Sequence, residues 1–188
     1  MSQAPTGSWE QPYQDACEEA ALLMAHRWVT GTSVTRAEAN VELLRMIQFQ
    51  NDVFGDYRDT SAARSAELFR RFYQSEAVRL VPSAALADVK RELAHGNIVL
   101  LPMAGRRLNG PYYRSPGPLY HMLLIRGYDE DTKEFVVNDD GTNTKGEAFR
   151  FSSAAIERSW NDWDHEANTL APPRAPKPMI VVSRNTKP

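Results

Sequence analysis

The hydrophobic period of the chain changes at Gly96, and this change limits the fold more than any other feature. Before it, apolar residues recur at helical spacing; after it they come in short β-branched and apolar runs. Helices first and strands later predict an α+β fold, with N-terminal helices packed on an antiparallel β-sheet. The 188 residues contain no repeat and no low-complexity tract, so a single domain over 1–188 is expected.

Four helices are predicted in the first half. Asp15 is a candidate cap for one reaching about Val29, with Cys17, Ala20, Ala21, Met24 and Trp28 on one stripe and Gly31 as its stop. Thr35 and Glu38 form a capping-box pattern before a second, whose apolar face would be Val41, Leu44, Met46 and Ile47. A polar break over Asn51–Thr60 precedes helices from Ser61 to about Tyr73 and from near Ser83 to His95. In the second half Asn97–Pro102, Tyr120–Tyr128, Phe135–Asn138 and Glu147–Phe151 read as strands. A short helix capped by Ser152 or Ser153 runs to about Trp163, and Met179–Ser183 is a last strand after the extended segment Pro172–Pro178. The loop Ala104–Pro118 is long for a compact fold and rich in Gly, Pro, Arg and Tyr, which points to a functional rather than a merely connecting segment.

Composition removes several function classes. The formal net charge of -2 gives a nucleic-acid partner no electrostatic support. No apolar run approaches the ~18–20 residues of a membrane span. No secretory signal is present as written, so the expected location is cytoplasmic, or secreted or cell-surface if a signal peptide has been removed. One cysteine excludes an internal disulfide and a multi-cysteine metal site.

That cysteine, Cys17, falls in the first turn of the predicted first helix, where backbone N–H groups and the positive dipole end favour a thiolate. A small buried core residue is the alternative. Glu18 and Glu19 would oppose ionisation if they faced the sulfur; their helical placement is expected to direct them elsewhere. Among the four histidines, His26, His95 and His165 suit surface or capping roles. His121 differs, because it opens an apolar strand directly after the long loop and can face a cleft. The acidic turn Asn138–Thr142 follows on the next strand, so Asp139 can approach His121 across the hairpin and orient its ring. Side chains alternate along a strand, so Asp139 and Asp140 cannot both face His121 unless the strand has already ended; the hairpin geometry favours Asp139 and leaves Asp140 to the Gly141 turn. The turn lacks the ligand alternation of a calcium loop, so no metal is expected.

Three blocks carry a family resemblance. Ser2–Pro5 with Trp9 and Asp15–Ala21, then Gly117–Met122 with Gly127–Asp129, then Phe135–Thr142 resemble, in order, the cysteine, histidine and aspartate blocks of the bacterial C39-like peptidase domain, a papain-like cysteine peptidase. The resemblance extends over nearly the whole chain, including the closing Met179–Val182 strand. It implies a papain-like fold, Cys17 as nucleophile, His121 as general base and acid, Asp139 as orienter and Gln3 as oxyanion donor. Gln11, six residues before the cysteine, has the spacing of more typical papain-like enzymes and is the alternative donor. Asp140 stands where family members often carry Pro. A cysteine hydrolase acting on a peptide or related amide bond follows, with a peptide or protein substrate and no cofactor. A catalytically silent binding module of the same fold, or an acyl or peptidyl transferase, are the other readings.

Overall fold

The computed structural model describes residues 1–184. Helix α1 spans Cys17–Thr30 and ends, as expected, at Gly31 with φ 68°. Its start differs from expectation. Asp15 closes a single 3-10 turn, Tyr13–Asp15, and the cap residue is Ala16, which makes no side-chain bond. Asp15 instead accepts from Gln11 Nε2 at 2.7 Å.

Helix α2, Arg36–Phe54, begins with the capping box: Glu38 N–H donates to Thr35 Oγ1 at 3.2 Å and Thr35 N–H to Glu38 Oε2 at 2.8 Å. It runs through the start of the expected polar break to Gly55. Its buried stripe is Ala39, Leu43, Met46, Ile47 and Gln50, whereas Val41 and Leu44 face solvent at 56% and 38% exposure. Helical spacing places Ala39, Leu43 and Met46 one above another, and the two apolar residues between them fall outside that stripe. Helix α3, Ala62–Tyr73, is capped by Ser61.

Strand β1 (Val78–Val81), too short to show alternation in the sequence, precedes α4 (Leu86–Ala94) and β2 (Ile98–Met103). A short helix α5, Gly105–Leu108, opens the long loop. Then follow β3 (His121–Asp129), β4 (Glu134–Asn138), β5 (Phe149–Ser152), α6 (Ser153–Ser159), the small pair β6 (Trp163–Asp164) and β7 (Thr169–Leu170), and β8 (Met179–Val182). The main sheet has the order β1-β8-β2-β3-β4-β5, with every neighbouring pair antiparallel. The α+β class and the packing of N-terminal helices on the sheet are thus as read from the sequence.

Both faces of the sheet are covered. On one, Ile98, Leu100, Met122, Leu124, Ile180 and Val182 pack with Ala21, Leu22, Leu68 and Phe69 of α1 and α3, and Cys17 belongs to the same cluster. On the other, the alternate residues Val99, Leu101, Leu123, Ile125 and Val181 meet Val89, Ile156 and Trp160 from α4 and α6. Each such large side chain taken out of water contributes roughly 1.5–3 kcal/mol, so both helical layers are held firmly. Two registers then place the site. Met103 lies opposite His121, which fixes the start of β3 in the sheet, and Leu124 lies opposite Asn138, which brings the end of β4 beside that start.

Candidate active site

His121 is buried where the long loop enters β3, and its Nε2 lies 2.9 Å from Asp139 Oδ1. A carboxylate partner makes Nε2 the protonated nitrogen and leaves Nδ1 as the basic one. Asp139 also accepts from Tyr113 Oη at 2.7 Å through Oδ2 and from the Gly141 N–H at 2.9 Å through Oδ1. Burial pushes this carboxyl up, but His121, Tyr113 and the Gly141 N–H together outweigh it and hold Asp139 below the usual carboxylate range. Tyr113 packs edge-on against the His121 ring at 5.5 Å between centroids. A glycine at 146 is required by the same turn: the Asp139 N–H donates to Gly146 O at 2.9 Å, and a Cβ at 146 would lie 1.7 Å from the Asp139 carbonyl oxygen.

Asp140 is not the turn-capping residue the alternation argument expects. Strand β4 ends at Asn138, so alternation no longer separates the two acids, and Asp140 Oδ1 comes within 3.8 Å of His121 Nε2. It is Asp139 that takes the Gly141 N–H. Asp140 is fully buried, and neither of its carboxyl oxygens has a partner among the described residues. Burial, then the neighbouring Asp139, pushes Asp140 well above the usual range. The ligand atoms of His121, Asp139 and Asp140 lie within 4.8 Å of one another, a spacing three cation ligands could have. A cation needs ionised ligands; Asp139 already serves three donors and Asp140 is held towards its neutral form.

Cys17 stands at the first position of α1 and is 5% exposed. Its thiol donates to Glu18 Oε2 at 3.0 Å. Glu18 therefore does not point away, whereas Glu19 makes its contact with Gln50 and none with the sulfur. Both are fully buried; Glu18 Oε1 accepts the Thr60 N–H at 2.5 Å, and Glu19 accepts from Gln50 Nε2. The Glu18 carboxyl thus stands against the sulfur at the helix start, the place expected to favour a thiolate. Burial first, then Glu18 and Asp140, pushes the Cys17 thiol well above its ordinary value. The activated thiolate expected from the helix start is not the resting state of this site.

Gln3 is buried, and its Nε2 donates to the carbonyls of Tyr13 and Gln14 at 2.9 and 3.0 Å. Its backbone N–H donates to Asp140 O at 3.0 Å, so it ties the N-terminal segment to both the acidic turn and the approach to α1. Both amide protons are thereby engaged. Gln11 is exposed and bridges Asp15 and Tyr57. A cleft of about 560 Å³ opens here, lined by Gln3, Trp9, Gln14, the stretch 112–118 and the turn 141–143. The long loop therefore does wall a cleft. Its two tyrosines divide: Tyr112 is half exposed on the rim, while Tyr113 turns inward onto Asp139. Of the other histidines, His26 stacks on Tyr73 at 3.8 Å, His95 caps α4, and His165 Nε2 accepts the Ser61 N–H at 3.2 Å.

The sequence brings Asp139 to His121 across the hairpin, and the two are paired here; it offers Tyr113, with Tyr112 and Arg114, as a cleft contact or a packing residue, not as a partner of Asp139 26 residues away, and it does not give the inward turn of Glu18. Compared with known proteins, residues 1–168 match the Peptidase_C39 like family. A crystal structure described as that of a C39-like peptidase from Bacillus anthracis superposes with a TM-score of 0.55 over 90% of each chain, at 12% sequence identity. That likeness is one of fold. No curated protein sequence matches the chain.

Proposed function

Since the chain belongs to the Peptidase_C39 like family, we propose that it is a cysteine hydrolase that cleaves a peptide or related amide bond. Cys17 is the nucleophile, His121 the base and then the acid, and Asp139 the residue that orients the ring. The observation that carries this reading is the buried 2.9 Å bond from His121 Nε2 to Asp139 Oδ1, which commits Nε2 as donor and leaves Nδ1 free to accept a proton.

Because the thiol rests protonated, attack and deprotonation go together. The Sγ–H bond breaks, its proton passes to the His121 ring, and sulfur bonds to the substrate carbonyl carbon. Gln3 donates one amide N–H to the oxyanion on giving up a backbone carbonyl, beside a backbone N–H. His121 returns the proton to the leaving amine as the C–N bond breaks. Water, deprotonated by the same ring, then releases the acyl group from Cys17. The cleft between Trp9, Tyr112 and Arg114 holds the peptide, and Arg114 is the one charged side chain among its lining residues.

The Cys17–Glu18 bond favours a second reading, a binding module that keeps the fold and does not turn over. Incubation with a diverse peptide library, followed by mass spectrometry of new termini, separates them. Cleavage by the wild type and none by Cys17→Ser supports the hydrolase; cleavage that persists in Cys17→Ser, or none in either, contradicts it. Added amines test acyl transfer in the same assay, since amide products in place of free acids would show it.

A further inference from the structure

We propose that Glu18 governs the ionisation of Cys17: carboxyl and thiol hold their protons as one pair, and Cys17 becomes a thiolate far more readily while Glu18 keeps its own proton. The pairing stands on geometry alone; only its effect on turnover rests on the hydrolase reading.

The contact is built in. Cys17 and Glu18 are the first two residues of α1, both buried, with Sγ 3.0 Å from Oε2. The carboxyl cannot swing away, because Oε1 is anchored on the Thr60 N–H. Thr60 is itself fixed: its carbonyl accepts from Tyr120 Oη at 2.8 Å and its hydroxyl lies 2.9 Å from Ser65 Oγ.

Titratable groups face the pair on several sides. Glu19 comes from α1 and Asp59 from the segment before α3, while Asp139 and Asp140 come from the acidic turn. Tyr120 and His121 come from the start of β3, and Tyr113 from the long loop. Burial, then Asp59, raises Glu18 to about 8, so the carboxyl holds its proton at neutral pH. A proton leaving Sγ for the His121 ring then leaves a thiolate to which the Glu18 O–H donates. Once Glu18 has ionised, the same step would place a second negative charge against the first in a buried site, where charges are weakly screened.

The test is the ionisation profile of Cys17, read from thiolate absorbance and from the pH midpoint of alkylation by iodoacetamide. The chain has one cysteine, so alkylation reports Cys17 alone, and the absorbance is read as the difference from Cys17→Ser, which cancels the tyrosinate signal. The wild type should titrate above the ordinary thiol value of ~8.5. Glu18→Gln keeps an acceptor for Thr60 and presents an N–H to the sulfur. It should lower the midpoint by at least ~1 unit, or about ten-fold more thiolate near pH 8. Asp140→Asn should lower it by less. Glu18→Asp, whose shorter carboxyl withdraws from the sulfur, is the second variant should Glu18→Gln fail to fold, and it should also lower the midpoint. A wild-type midpoint at or below the ordinary value overturns the proposal. So does a midpoint left unchanged in a folded Glu18 variant.

Discussion

The Asp139 carboxyl accepts from a ring nitrogen, a phenol and a backbone amide at once, while that of Asp140, one residue on and just as deeply buried, accepts from none among the described residues. This contrast assigns their roles more firmly than position does. Asp139→Ala should lower turnover at least ~10-fold, about 1.4 kcal/mol of barrier. Asp139→Asn should retain intermediate activity, since an amide can orient the ring but cannot stabilise the imidazolium. Asp140→Ala should cost turnover much less, because a carboxyl held neutral contributes no charge to the ring. Steady-state kinetics of the three variants checks this ordering; an inactive Asp140→Ala beside a normal Asp139→Ala would reverse the assignment. Which acid faces His121 was legible from the hairpin, because antiparallel pairing brings the end of β4 to the start of β3. The proximity of both acids was not, because beyond Asn138 the turn, not strand alternation, sets where each side chain points.

At the scale of elements, the long loop is a fixed wall. The Gly105 N–H donates to Leu119 O at 3.2 Å, and a Cβ at Gly105 would lie 2.7 Å from both Pro118 Cγ and Pro118 O. Its inner part carries Tyr113 into the site, whereas Arg114, Ser115 and Pro116 are exposed on the cleft rim. Shortening that outer stretch while keeping Tyr113 should abolish turnover and leave the melting transition nearly unchanged, since exposed loop segments contribute little to the core. Kinetics and calorimetry on one variant decide it; a collapse of the fold would show the rim to be structural. The long strands β2, β3 and β8 were legible because their apolar runs fill both faces of the sheet. Strand β1 and the pair β6–β7 were not, being too short for a period. The face of α2 was misread because four apolar residues suggested a stripe, and two of them, Val41 and Leu44, lie off the line of burial.

For the whole molecule, the acids buried around Cys17 make stability depend on pH in an unusual direction. Glu18 rises from 4.5 to about 8 on folding, and Glu19 and Asp140 rise as well. A carboxyl whose folded value is raised stabilises fully below its unfolded value and loses that contribution as pH climbs through the folded one. Stability should therefore fall between about pH 5 and pH 8, with Glu18 alone accounting for roughly 5 kcal/mol as an upper bound. Asp139, shifted downwards, acts only below that window. Thermal melts across the range check the sign, and Glu18→Gln should flatten the curve; melting temperatures that rise from pH 5 to 8 would contradict buried, proton-holding acids.

The measurement that tests the central claim most directly is the labelling of Cys17 by a peptidyl thiol-directed probe near neutral pH, followed by intact mass. On the proposed reading, Cys17 is at rest a protonated thiol that needs His121 to react. The wild type should take up one probe, on Cys17, and His121→Ala should take it up at least ~10-fold more slowly with its fold intact. Labelling at an unchanged rate in His121→Ala, or no labelling of the wild type, would contradict the assignment of Cys17 and His121 as nucleophile and base.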